Sequence, residues 1–206
     1  MRRITICEHI TLDGVVQSPG APDEDRDGGF PHGGWSPPFA DPAVGAAVAG
    51  IHDGPRDLLL GRRTYDIWSA HWPHAAGPFA ARFNDAVKHV ATHHPESLAW
   101  GPAQGLGDDV ADGVRRLRAG DGPDLILWGS STLAPVLLAH DLVDEVVLFV
   151  HPVLIGAGKR FFPDGAVPRS LALTSSQPAT SGIVINRFRP AGDLRTGTFA
   201  PRGDQS

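Results

Sequence analysis

The chain has 206 residues, 41% of them hydrophobic and 20% charged, with a formal net charge of −5. Length and composition fit one soluble globular domain burying about 70% of its unfolded surface, and the acidic balance gives no electrostatic basis for nucleic-acid binding. No apolar run nears the roughly 20 residues of a membrane helix, the N-terminus has no signal-peptide core, and the single Cys7 allows neither a disulfide framework nor a thiolate metal cluster, so the expectation is a cytoplasmic protein.

Residues 3–10 place Ile4, Ile6 and Ile10 on alternate positions, which predicts a strand ended by Thr11-Leu12-Asp13-Gly14. Residues 17–38 then hold five glycines and five prolines with little periodicity. Irregular loops of this length inside a compact chain are functional or disordered, and Phe30 and Trp35 argue against disorder because aromatic side chains favour burial. Asp41-Pro42 starts a helix, with an N-cap acceptor followed by proline, and Val44, Ala47, Val48 and Ile51 form its apolar face before Gly54-Pro55. Leu58-Leu59-Leu60 predicts a strand buried on both faces and stopped by Gly61.

A helix from about Arg62–Tyr65 carries Ile67 and Trp68, and Pro78, Phe79, Phe83 and Val87 suggest another. Val90 centres a short strand, residues 95–107 look irregular, and Asp108 or Asp109 caps a helix with Val110, Val114 and Leu117 on its face. The stretch 124–150 reads as strand, glycine turn, helix and strand. Two later runs, Leu171–Leu173 and Ile183–Ile185, are close enough to pair antiparallel, and the polar tail after Pro190 is expected to fray. The alternation predicts an α/β fold with a mostly parallel sheet and an antiparallel finish.

Two strand–glycine–helix turns, LLLGRRTY (58–65) and LILWGSSTL (125–133), stand out. Helix N-termini after such turns present unpaired N–H groups to anions, at the strand ends where open α/β sheets bind ligands. Side by side, the two turns could grip a pyrophosphate, with Arg62 and Arg63 adding charge and Thr64 a hydroxyl.

Leu60-Gly61-Arg62-Arg63-Thr64-Tyr65 resembles the Gly-Arg-x-Thr turn of the dihydrofolate-reductase-like family, which includes the reductase domain of the bifunctional riboflavin-biosynthesis protein. The segments 11–15, 22–25 with 33–35, 128–130, 142–145, 152–158 and 161–162 are similar to its bacterial small-protein branch in order and spacing. The resemblance covers about residues 3–190. It implies a dihydrofolate-reductase-like three-layer αβα domain over 1–190, with residues 191–206 as a flexible tail.

It also implies a nicotinamide cofactor across the carboxyl edge of the sheet. By that analogy Gly61, Arg62, Arg63 and Thr64 meet the adenosine phosphates, and Gly129, Ser130, Ser131 and Thr132 the pyrophosphate. Thr92 and His93 lie toward the 2′-phosphate, with Leu12, Asp13 and Gly14 near the nicotinamide. NADPH is the implied cofactor, with NADH not excluded because His93 is mostly neutral at pH 7. A homodimer is a further family-level expectation.

Hydride reduction of a C=N or C=O bond also needs a proton. Asp41 follows the Trp35 loop, as the family's catalytic carboxylate does, but a helix N-cap role explains it fully. Glu8 shares the apolar face of Ile4, Ile6 and Ile10, where burial would raise its pKa as a general acid requires, and is equally explained as an edge-strand residue in water. Asp13 could orient substrate or make the turn before Gly14. The histidine pairs 71/74 and 93/94 lack the i, i+4 spacing and acidic partner of a zinc-hydrolase motif, so no metal is expected. The resulting expectation is an NADPH-dependent oxidoreductase acting on a small heterocycle. The closest named activities are 5-amino-6-(5-phosphoribosylamino)uracil reductase and dihydrofolate reductase. The 17–38 loop, with Phe30 and Trp35, would wall or cover the substrate. A non-catalytic nucleotide-binding sensor or assembly module on the same fold is the alternative.

Overall fold

The computed structural model describes residues 1–199, so 200–206 of the expected tail lie outside the described residues. Thirteen labelled elements follow in chain order: β1 (Ile4–Thr11), α1 (Pro42–Ile51), β2 (Arg56–Gly61), α2 (Arg62–His71), α3 (Pro78–Asp85), β3 (Lys88–Ala91), β4 (Ala103–Gly105), α4 (Val110–Ala119), β5 (Asp124–Trp128), α5 (Leu133–Ala139), β6 (Glu145–His151), β7 (Arg169–Pro178) and β8 (Val184–Asp193). They form one eight-stranded sheet of order β4-β3-β2-β5-β1-β6-β8-β7. Neighbours from β4 to β6 pair in parallel, while β6–β8 and β8–β7 are antiparallel. The expected mixed sheet with an antiparallel C-terminal hairpin is what forms.

Alternation along the strands divides the core into two faces. Ile4, Ile6, Leu59, Leu125 and Leu127 pack with α4 and α5 through Val114, Leu133 and Leu137. On the other face, Cys7, Ile126 and Trp128 meet α1 through Val44 and Ile51. Leu58 and Leu60 continue that face under Tyr65 of α2 and Phe83 of α3. Helices therefore cover both sides, giving the three-layer αβα arrangement.

Three differences from the sequence expectation have local reasons. The irregular stretch 95–107 contains the short edge strand β4, whose Ala103-Gln104-Gly105 has no β-branched residue to mark it. β8 runs on through Pro190 to Asp193, which pairs with Arg169 of the outer strand. Proline is tolerated late in a peripheral hairpin because fewer ladder bonds are lost there. Residues 17–38 carry two short 3₁₀ turns, at 27–29 and 37–39, and are tied internally: Gln17 Nε2 donates to Asp25 O and Asp27 O, both at 3.0 Å, and Trp35 Nε1 donates to Gln17 O at 2.8 Å.

Among the described residues no helix is long and apolar enough to cross a membrane, and no cluster of three or more His, Cys, Asp or Glu side chains could hold a metal ion.

Candidate active site

The parallel pairing of β2, β5 and β1 brings three strand ends together. Leu59 is opposite Leu127, and Cys7 is opposite Trp128, so the ladders place Gly61, Gly129 and Glu8 side by side at the carboxyl edge. A cavity of about 830 Å³ opens there, within the size range of a small-molecule or cofactor site. It crosses the sheet edge, so Glu8 and His9, whose side chains project to opposite faces, both line it.

The two glycine turns are bonded to each other. Gly61 N–H donates to Ser130 Oγ at 2.8 Å, and Ser130 N–H donates to Thr64 Oγ1 at 3.0 Å. Gly129 has φ +56°, and a Cβ there would lie 3.1 Å from Thr64 Oγ1, so both the left-handed conformation and the close approach call for glycine. Ser130 is itself left-handed at φ 61°, and its hydroxyl faces Trp128 O at 3.0 Å. Ser130 and Thr64 are thus spent on holding the turns in register.

Other groups remain for an anion. No side chain caps the start of α2, which leaves its first-turn amides to the cavity rim. The amides and hydroxyls of Ser131 and Thr132 have no partner among the described residues. A phosphate fits these donors and the favourable end of the α2 dipole.

Arg62 reaches outward. Its Nη1 lies 2.6 Å from Ser97 Oγ and 3.4 Å from Thr92 Oγ1, while Nε pairs with Asp66 at 2.8 Å. Arg63 turns the other way, to Asp25 at 3.1 Å and Asp27 at 3.2 Å, and Lys159 meets the same carboxylates at 2.7 and 3.0 Å. Asp25, itself buried, therefore anchors the 17–38 loop to α2 and to the segment after β6.

Glu8 is 3% exposed, and its Oε2 is buried without a hydrogen-bond partner. Burial pushes its carboxyl well above the usual carboxylate range, and the charge of Glu24 on the facing loop pushes the same way. The backbone amides of His9 and Gly129 pull more weakly in the opposite direction. Across the sheet, His9 stacks on Phe149 at 4.8 Å and its Nδ1 lies 3.0 Å from His151 Nε2. Burial lowers His9 to about 3 and His151 to about 4, so both rings are neutral near pH 7.

The RibD C-terminal domain family model matches residues 2–185. The chain belongs to the RibD C-terminal domain family. It is 26% identical over 137 residues to the uncharacterized protein YyaP of Bacillus subtilis, an overlap of 62% of this chain and 70% of that protein. A pyrimidine reductase-like protein from Corynebacterium diphtheriae superposes with a TM-score of 0.63, 11% identity and 93% of each chain covered. A diaminohydroxyphosphoribosylaminopyrimidine deaminase/5-amino-6-(5-phosphoribosylamino)uracil reductase from Thermotoga maritima gives a TM-score of 0.62 at 16% identity. That match covers 92% of this chain and 57% of the longer Thermotoga chain. The fold is the one shared by these reductase-like domains.

Within this RibD-type frame, Gly61, Arg62, Arg63, Thr64, Gly129, Ser130, Ser131 and Thr132 all line the cavity, as does Glu8. Thr92 reaches it through Arg62, while His93 is exposed and does not line the cavity. Leu12 is 63% exposed and Gly14 sits in the turn after β1, both away from the lining. Asp13 braces the opposite loop: it accepts from Thr11 Oγ1 and Gly156 N, each at 2.6 Å, and these bonds hold its carboxyl below the usual range.

Asp41 caps α1, accepting from Ala43 N at 2.8 Å, and its other oxygen accepts from Thr180 and Ser181. Those bonds also lower its pKa, and the side chain is not at the cavity. The loop does form a cavity wall, but through Gln17, Ser18, Pro19 and Glu24. Phe30 packs behind it against Gly158, and Trp35 against His151. The sequence reading missed His9 and its partner His151: the alternation that singled out Glu8 also puts residue 9 on a buried face, but the partner is 142 residues away.

Proposed function

We propose that this chain is a nicotinamide-dependent reductase of a small planar substrate, with NADPH as the donor. The observation that carries this reading is the tied pair of turns, Gly61–Thr64 and Gly129–Thr132, beside a buried carboxyl at the carboxyl edge of the sheet. The α2 first-turn amides with Ser131 and Thr132 would hold the pyrophosphate, and Arg62 with Thr92 the 2′-phosphate. The cofactor, when bound, supplies hydride.

The chain supplies the rest. Asp25, Arg63 and Lys159 fix one wall of the cavity. Glu8, whose carboxyl burial holds well above the usual carboxylate range, would be the general acid for a C=N or C=O reduction. Asp41 and Asp13 act through structure, as cap and loop brace. Ribosylamino-pyrimidine reduction is supported by family membership, whereas dihydrofolate reduction rests on the sequence resemblance alone.

The test is titration with NADPH and NADH followed by thermal shift and by oxidation of the reduced cofactor in the presence of candidate substrates. Ligand at 100 times its dissociation constant adds about 2.7 kcal/mol. At roughly 2–4 °C per kcal/mol for a chain of this size, the melting temperature should rise by about 5–11 °C. No shift with either nucleotide refutes the reading.

A further inference from the structure

The cavity has two unlike halves. All three of its lining cations, Arg62, Arg63 and Lys159, lie at the turns and the loop, and each is already ion-paired. The half beneath α1, α2 and α3 is walled by Phe39, Val48, Trp68, Trp72, Phe83 and Trp128, with no lysine, arginine, aspartate or glutamate. A phosphorylated substrate bound there would leave its phosphate in an apolar, aromatic wall with no counter-charge, a costly burial. Flat, uncharged rings suit such walls, since aromatic faces stack favourably on one another.

The polar groups that interrupt this half include the Trp72 indole N–H, buried without a partner, and the His9 ring. His9 is paired with His151 through Nδ1, and His151 Nδ1 is buried without a partner. Buried orphan acceptors are tolerated better than buried orphan N–H groups. On that ground the His151 proton is assigned to Nε2, which faces His9 Nδ1 at 3.0 Å and Ser36 Oγ at 3.5 Å. That leaves the His9 proton on Nε2, the ring nitrogen with no partner among the described residues. A neutral imidazole N–H beside an apolar wall is a hydrogen-bond donor for one carbonyl or ring nitrogen.

Resting on the reductase reading, we infer that the substrate is an uncharged, planar, conjugated molecule without phosphate, held between aromatic side chains with one acceptor atom on His9 Nε2. This departs from a phosphoribosyl-pyrimidine substrate, and it makes His9 a substrate-binding residue on the face opposite Glu8.

Calorimetric titration of the full chain tests it with three probes: 2-methyl-1,4-naphthoquinone, 2-methylnaphthalene, which lacks the carbonyls, and 5-amino-6-(5-phosphoribosylamino)uracil. The quinone should bind at least tenfold more tightly than either of the others. His9→Phe should remove about tenfold of the quinone affinity and leave that for 2-methylnaphthalene unchanged. Phosphoribosyl-pyrimidine binding equal to or tighter than quinone binding, or no quinone binding, overturns the inference. Should the variant not fold, the wild-type ratio of quinone to 2-methylnaphthalene decides: a ratio near one overturns the role of His9. These titrations need no NADPH, so failure to bind the nucleotide overturns the reductase reading separately.

Discussion

Gly61 and Ser130, 69 residues apart, share a 2.8 Å hydrogen bond from the amide of one to the hydroxyl of the other. It joins the ends of β2 and β5 at the point where a cofactor phosphate would rest. The bond uses the serine hydroxyl for alignment, so on the reductase reading anion binding would fall to the amides and hydroxyls of the next two residues.

Ser130→Ala tests that division of labour. It leaves the buried Gly61 N–H without an acceptor, a cost of about 1–3 kcal/mol. The melting temperature should fall by roughly 2–4 °C for each kcal/mol. Ser131→Ala should instead leave the melt within about 1 °C and weaken NADPH binding several-fold. A reversed pattern, with Ser131→Ala the more destabilising, would show that the hydroxyl assignment is wrong.

Glu8→Gln separates chemistry from stability. A carboxyl whose pKa is raised by folding stays protonated in the native state while the unfolded chain, near 4.5, ionises. Its contribution is therefore favourable below about 4.5 and is lost as pH rises toward the folded value. Glutamine does not ionise, so Glu8→Gln should match the wild type at pH 4 and exceed it in melting temperature at pH 8. Reductase turnover should drop by about 10²–10⁴, the usual weight of a general acid, with NADPH affinity retained. Equal stability of both proteins at pH 8 would remove the case for a protonated Glu8.

Much of this frame was open to sequence reasoning because it rests on local patterns. Leu58-Leu59-Leu60 stopped by Gly61, and Leu125–Trp128 stopped by Gly129, are short apolar runs ending at glycine, and both became strands that end at the cavity. Alternation from Ile4 to Ile10 was enough to bury Glu8. What local pattern cannot carry is partner choice across the chain. Trp35 looked free to meet substrate, but its indole N–H needs an acceptor and finds Gln17 O within its own loop. Trp68 and Phe83 read as ordinary helix faces, and only the packing of α2 and α3 over the sheet shows that they wall a cavity.

The buried histidines set an acid limit on the fold. Half-buried His9 and buried His52 and His151 are lowered to about 3, 4 and 4, against 6.5 in the unfolded chain, and burial lowers His89 as well. Groups depressed in this way contribute stability above pH 6.5 that is lost as pH falls toward 4, one proton being taken up on unfolding at each ring. Glu8 works against them over the part of that window above 4.5. Melting temperature should therefore fall between pH 6.5 and 4, and more steeply in Glu8→Gln. His151→Phe should flatten the fall by about one proton. A melting temperature independent of pH across this window would contradict the lowering of these rings.

The buried carboxylate of Asp25 holds the loop by accepting from two cations on different elements, Arg63 of α2 and Lys159 after β6. Asp25 is 8% exposed but Arg63 is 54% and Lys159 29%, so the Lys159 pair should resist salt better than the Arg63 pair. Asp25→Ala removes the carboxylate and leaves Arg63 and Lys159 with the more exposed Asp27 alone, a surface-type pairing of small value. The loop should then open locally without global unfolding, because Phe30 and Trp35 keep their own packing. Limited proteolysis is the direct measurement. Cleavage within residues 17–38 should speed up at least tenfold in Asp25→Ala, and bound NADPH should slow it in the wild type. Equal cleavage rates in the two proteins would show that the loop is held by its aromatic packing and internal hydrogen bonds, and that the ion pairs are incidental.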